Sequence, residues 1–143
     1  MKVFTSSIRL TTTRETEEVC ITTQVEAIIQ EGGVEDGMVL VSTGHTTAAV
    51  HLNNSDKDLE LDFQDFMSEL VPKRSTFRHN KGEYGRNADA HIKSLLVGGN
   101  VALPVTKGRV ALGQWQDIYF SEFDGPRSRL ISVKVIGEKG AAQ

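Results

Sequence analysis

The sequence predicts an α+β domain in which a large mixed, mostly antiparallel sheet is covered by two or three helices. Three observations carry that expectation. Two segments place apolar residues at helical spacing, and the C-terminal third reads as strands broken by turns. Strands and helices do not alternate regularly, which disfavours a doubly wound parallel sheet.

The elements follow in order. Val3 to Thr11 is rich in Val, Phe, Ile and Thr and reads as a strand. Thr22 to Gln30 reads as a helix. Thr23 and Glu26 have capping-box spacing, Val25, Ile28 and Ile29 share a face, and Gly32-Gly33 end it. Met38 to Ser42 suits a short buried strand. Asp58 to Val71 is the clearest helix, with Leu59, Phe63, Phe66, Met67 and Leu70 forming a core-facing stripe and Pro72 as its stop. Acidic Asp56, Asp58, Glu60 and Asp62 complement the dipole at its start. A shorter helix runs from Ala88 to Val97. Val101 to Val105 is a strand, Thr106-Lys107-Gly108 a turn, and Val110 to Phe120 a long strand interrupted at Gly113. Leu130 to Ile136 alternates like a half-solvated strand, and residues 140–143 read as a frayed tail.

The 143 residues fit one domain spanning 1–143, large enough to bury a core without staples. A net charge of −3 and a pI near 5.8 lack the basic excess of a nucleic-acid binder, although a local basic pocket remains compatible with them. The single cysteine, Cys20, lies between Val19 and Ile21 and reads as a core residue in a reducing compartment. Met1 to Leu10 lacks a signal-peptide apolar core, and no stretch approaches ~20 apolar residues. The expectation is therefore a cytoplasmic protein without membrane contact.

Histidine placement points to chemistry. His45 sits in Gly44-His45-Thr46-Thr47 after an apolar strand, where Thr46 and Thr47 offer hydroxyls to phosphate oxygens and His45 offers a metal ligand or proton carrier. His79 and His91 lie in or beside a polar, Asn-rich stretch. No short metal-binding spacing such as His-Glu-x-x-His is present, and a solvated or structural histidine is the plain alternative at each position. His51, alternating with Val50 and Leu52, reads as structural. Trp115, flanked by Gln114 and Gln116, suits either a core position or the aromatic wall of a pocket with an amide beside it. In Asp124-Gly125-Pro126-Arg127 the arginine suits a phosphate clamp, with Arg129 adding charge on the same face. The structural alternative is a salt bridge from Arg127 to Glu122 or Asp124.

The stretches Gly44-His45-Thr46-Thr47-Ala48-Ala49, His79-Asn80, Asn87-Ala88-Asp89-Ala90-His91-Ile92-Lys93-Ser94, Leu112-Gly113-Gln114-Trp115-Gln116 and Glu122-Phe123-Asp124-Gly125-Pro126-Arg127 stand together in order. In them the chain resembles the YjbQ-like family, also described as secondary thiamine-phosphate synthase enzymes. The resemblance covers nearly the whole chain. It implies an α+β fold, a homotrimer and a divalent-metal pocket built from His45, His79 and His91. It also implies a weak activity that joins a pyrimidine methyl diphosphate to a thiazole phosphate with loss of pyrophosphate. Asn54 stands where the family usually has a carboxylate.

On that reading a metal neutralises the departing diphosphate, and His45, Gln116 and Arg127 are the catalytic candidates. Thr46, Thr47, Lys93 and Arg127 hold phosphate, and Trp115 faces a ring. Three imidazoles and a water suit zinc first, with nickel, copper or iron open. The rivals are a metal-dependent hydrolase of a phosphorylated metabolite and a non-catalytic trimer that binds metabolite or metal.

Overall fold

The computed structural model describes residues 1–83 and 85–140, so the expected tail lies, beyond Gly140, outside the described residues. The strands are β1 (Lys2–Thr11), β2 (Glu17–Cys20), β3 (Val34–Ser42), β4 (Ala48–Asn54), β5 (Asn100–Thr106), β6 (Arg109–Val110), β7 (Gln116–Glu122) and β8 (Ser128–Lys139). The helices are α1 (Thr22–Gly32), α2 (Lys57–Leu70) and α3 (Ala88–Val97), with a single 3₁₀ turn at Arg78–Lys81. The fold is α+β with three helices, as expected. The sheet divides into a five-stranded part, β1-β8-β3-β5-β6, and a three-stranded part, β2-β7-β4. Among the described residues every strand pairing is antiparallel, so the mixed element of the expectation is absent.

Side-chain alternation builds the core. On β8, Ile131, Val133 and Val135 point inward between outward-facing Leu130, Ser132 and Lys134. They meet Val39 and Val41 of β3, Leu103 and Val105 of β5, Val50 of β4, and Ile118 and Phe120 of β7. Val25, Ile28 and Ile29 of α1 join the same cluster, so this helix lies where both sheet parts bury their apolar faces. Each such side chain contributes about 1.5–3 kcal/mol when fully buried. The same phase on β8 turns Arg129 inward, which shapes the site below.

Local chemistry explains several ends. Gly33 closes α1 in the left-handed conformation, φ 72°, and its N–H donates to the Ile29 and Gln30 carbonyls. Lys107 and Gly108, at φ 55° and 77°, make a two-residue hairpin turn between β5 and β6. The Asp56 side chain caps α2, accepting from the Asp58 and Leu59 amides.

Three expectations fail here, and one holds in a wider form. The Thr23–Glu26 capping box does not form. Ile21 is the N-cap, and Thr22 Oγ1 instead donates to Asp117 Oδ1 at 2.7 Å and accepts the Ile118 N–H at 2.8 Å, tying α1 to β7. Cys20 is exposed, because Val19 takes the inward phase of β2. The interruption expected at Gly113 is present but wider, a loop over residues 111–115 between β6 and β7 in which the Gly113 N–H bonds to the Gln116 side chain. The α2 stripe is only partly covered: Met67 alone is buried, Leu59 and Phe63 are half-buried, and Phe66 and Leu70 are 59% and 55% exposed. The Phe63 ring lies 5.1 Å from that of His51.

Phe63→Ala should therefore cost about 1–2 kcal/mol, well below the ~3–5 kcal/mol of a fully buried ring. Ile29→Ala, in the main cluster, should cost about 2–5 kcal/mol. Urea unfolding of both variants measures the contrast, and equal costs would mean that α2 is seated more deeply than described.

Candidate functional site

The site is built on a buried ion pair. Glu122 ends β7 with its side chain fully buried, and Arg129 enters the core from β8. Arg129 Nε donates to Glu122 Oε1 at 2.8 Å, and Nη2 donates to Oε2. The same Nη2 reaches Thr47 Oγ1 at 2.8 Å, and Thr12 Oγ1 donates to Glu122 Oε1 at 2.7 Å. The Asp124 amide donates to Oε2 at 3.0 Å. Burial alone would raise the Glu122 pKa. The hydrogen bonds from Arg129, Thr12 and the Asp124 amide outweigh it, and the carboxyl titrates below its usual range.

This knot fixes the loop that follows. Thr12 Oγ1 accepts the Arg127 N–H at 2.8 Å, and the Thr12 N–H donates to the Arg127 carbonyl at 2.9 Å. At Gly125 a Cβ would stand 2.2 Å from the Arg14 carbonyl oxygen, so only glycine fits. Arg127 Nε and Nη2 then bind the carbonyl and carboxylate of Asp124, each at 2.8 Å.

From Asp124 a chain of hydrogen bonds runs outward. Asn87 Nδ2 donates to Asp124 Oδ2 at 2.8 Å, which assigns the other amide atom, Oδ1, as the neighbour of His79 Nε2 at 2.8 Å. An amide oxygen only accepts, so His79 carries its proton on Nε2 and leaves Nδ1 as the basic nitrogen of its neutral form. The His79 ring meets His91 edge to face, with centroids 4.9 Å apart. Asn80 completes the frame: its Oδ1 accepts the Ala88 N–H and caps α3, while its Nδ2 donates to the Arg74 carbonyl. Beside the two imidazoles lies a cavity of about 630 Å³, lined also by Thr76, Phe77, Arg78, Ala88 and Ile92.

The other expected site residues are placed as follows. His45 Nε2 accepts the Leu130 N–H at 3.0 Å, so its basic nitrogen is engaged by backbone. Burial, then the nearby Arg129 charge, lowers its pKa. It shares a smaller cavity with His91 but lines none with His79. Among the described residues no three His, Cys, Asp or Glu side chains stand together so as to hold an ion. Thr47 is buried under Arg129, while Thr46 is exposed beside His45. Lys93 is buried and faces Asp89 at 3.3 Å, one helical turn back, not a phosphate pocket. Trp115 is 69% exposed in the loop before β7. Gln116 begins β7 and Glu122 ends it, which separates them by ~20 Å at ~3.4 Å per residue. Trp115 and Gln116 therefore stand apart from the histidines, with Asn54 opposite Gln116 on β4. For Arg127 the geometry shows the ion pair with Asp124, and its side chain is still half exposed.

His51 is structural, as expected, but in a richer setting than the sequence suggests. Its Nε2 lies 2.9 Å from Glu18 Oε1 and 2.8 Å from Ser121 Oγ. One nitrogen serves both partners, so this is not the two-nitrogen relay of a nucleophilic triad. Burial raises the Glu18 pKa against the opposing pull of His51. Asn80, Asn87 and Asp124 stand in the stretches that carry the family resemblance, but nothing in the sequence ties them to His79.

A sequence profile described as "UPF0047 protein YjbQ-like" matches residues 6–138. The chain belongs to this YjbQ-like family. A UPF0047 protein of Archaeoglobus fulgidus is 43% identical over 129 residues, covering 90% of this chain and 98% of that protein. UPF0047 protein YugU of Bacillus subtilis is 40% identical over 133 residues, covering 92% and 98%. Among solved structures, a YbjQ-like protein of unknown function from Sulfolobus solfataricus superposes with a TM-score of 0.92 at 35% identity, covering 96% of this chain and 99% of that one. A YjbQ/UPF0047 protein from Clostridium acetobutylicum gives 0.86 at 37% identity, covering 92% and 99%.

Within this YjbQ-like chain, Glu122→Gln should cost about 3–5 kcal/mol, because it strands the buried Arg129 charge. The pH dependence follows from the lowered Glu122 pKa. Its contribution is present at neutral pH and disappears as pH falls through the folded value, below the usual carboxylate range. Glu18, with a raised pKa, has the opposite sign: its contribution is present in acid and is lost as pH rises through its folded value. Urea unfolding from pH 3 to 7 should show the wild type losing stability in acid more steeply than Glu122→Gln. Parallel curves would refute the assignment.

Proposed function

We propose that this YjbQ-like protein binds a phosphorylated small molecule in the cavity beside His79 and His91 and acts on it by acid–base chemistry. The observation that supports this is the chain Arg127–Asp124–Asn87–His79, which orients one imidazole and fixes its tautomer at the mouth of a cavity that also holds Arg78 and His91. Oriented imidazoles suit proton transfer to a departing phosphate, and such transfer contributes about 10²–10⁴ in rate. Arg78 adds positive charge to the lining, with which a phosphate would gain charge-assisted hydrogen bonds.

The finer reading is transfer of a pyrimidinylmethyl group to a thiazole phosphate with release of pyrophosphate. In that step the carbon–oxygen bond to diphosphate breaks, its electron pair leaves with pyrophosphate, and the thiazole nitrogen forms the new bond to carbon. His79 or His91 would protonate the leaving oxygen. Zinc remains a proposal of lesser reach: the cavity offers an ion two imidazoles, and its other ligands would come from water or substrate. Assembly as a homotrimer belongs to the same proposal and is checked by light scattering.

Incubation with both substrates should release pyrophosphate, and His79→Ala should lower the rate by about 10²-fold or more. Asn87→Ala removes the acceptor that orients His79 and should lower the rate about tenfold or more, with circular dichroism showing the fold intact. If pyrophosphate binds, as seen by calorimetry, and no phosphorylated substrate turns over with or without chelator, the protein is a binding module. If pyrophosphate does not bind at all, the cavity is not an anion site.

A further inference from the structure

The five-stranded part of the sheet packs one face on the core and leaves the other open. Strands β1, β8, β3 and β5 align their outward residues in rungs. The first rung is Val3, Ile136, Met38 and Pro104, all apolar. The second is Thr5, Lys134, Leu40 and Ala102. The third is Ser7, Ser132, Ser42 and Asn100. Val3, Met38 and Leu40 are 57%, 47% and 39% exposed, so no element among the described residues covers this face.

A solvated sheet face ordinarily carries the polar half of the alternation. This one holds a single charge, Lys134, among the twelve positions of its three rungs, where the chain's 24% of charged residues would place about three. Leu40 and Ala102 adjoin the apolar rung, and hydroxyl groups border it, which is the arrangement of an interface core with a polar rim. With strands ~4.8 Å apart and rungs ~6.8 Å apart, the face spans ~19 Å across the strands and ~20 Å from Val3 to Arg9. That is about 400 Å² in plan. Side-chain relief carries the accessible area toward the ~500–800 Å² that each partner gives to a specific interface.

The two ends of the face differ in sign. Beyond the first rung, exposed Asp36 and Glu138 stand opposite each other on β3 and β8. On the other side lie Lys134 and, past the third rung, exposed Arg9 opposite Leu130. An acidic end and a basic end around an apolar middle complement a second copy set head to tail, and head-to-tail contacts close into rings.

We infer that the outer face of this sheet is where copies of the chain meet, with the apolar rung buried and the acidic end of one copy against the basic end of the next. This rests on the homotrimer reading above and names the surface that holds it together. The face also reaches the site. Leu130 lies at its basic end and gives its amide to His45 Nε2, so the copy seated there lies against the loop that carries His45.

Light scattering on three variants tests the face. Wild type should run as three chains. Val3→Glu, on the edge strand β1, and Leu40→Glu, on β3, should each drop the mass threefold, to that of one 15.7 kDa chain, with the circular dichroism of the wild type. Phe66→Glu, at an equally open apolar position on α2, should stay assembled. If Leu40→Glu does not fold, Val3→Glu carries the test, since edge strands accommodate charged residues. A three-chain wild type that both sheet variants leave intact, or that Phe66→Glu alone splits, overturns the inference and keeps the homotrimer. A dimer split by the sheet variants keeps the face and removes the trimer. A wild type that stays a single chain removes both, and leaves the chemistry proposed for the His79 cavity as it was.

Discussion

The pair of Glu122 and Arg129 is the constraint on which the rest depends. The alternation of β8 that fills the core with Ile131, Val133 and Val135 also forces Arg129 inward. A buried guanidinium needs a carboxylate with its remaining oxygen lone pairs satisfied. Glu122 supplies it, and Thr12, Thr47 and the Asp124 amide complete the set. Three chain segments are thereby pinned at one point: the end of β1, the loop before β4 and the loop between β7 and β8. The Asp124–Arg127 cradle inherits its geometry from this requirement, and through Asn87 so does His79.

This arrangement separates the groups that hold shape from those that face a ligand. Arg129, Thr47 and Lys93 are buried and already partnered, whereas His79, Arg78 and Thr46 are accessible. Positive charge in a motif is thus no guide to contact with substrate. Two of the cations that look like phosphate clamps neutralise buried carboxylates, and a third, Arg127, is bound to Asp124 at the surface.

Much of the fold was legible because it rests on short-range pattern. Alternation from Leu130 to Ile136 marks β8, helical spacing marks α1 and α2, and Gly33 ends α1 as a glycine does. What was not legible depends on partners distant in sequence. The Thr22 hydroxyl is taken by Asp117 and the Ile118 amide, so no local rule shows that the capping box fails. The apolar stripe of α2 reads as core, yet only the placement of the helix decides how much of it is covered. At the site, the three histidines share a polar context in the sequence. The fold brings His79 to His91 and ties His45 to the Leu130 amide, a contact across 85 positions of chain that no spacing reveals.

The position of Trp115 has a spectroscopic consequence. It is the only tryptophan in the chain, and its indole stands largely in water before β7. Its emission in the folded single chain is therefore already that of a solvated indole, and denaturation has little further red shift to produce. A blue shift that grows with protein concentration would instead report another surface closing over that loop. Intrinsic fluorescence in this protein registers what covers the indole from outside, and the state of the interior must be read from backbone signals.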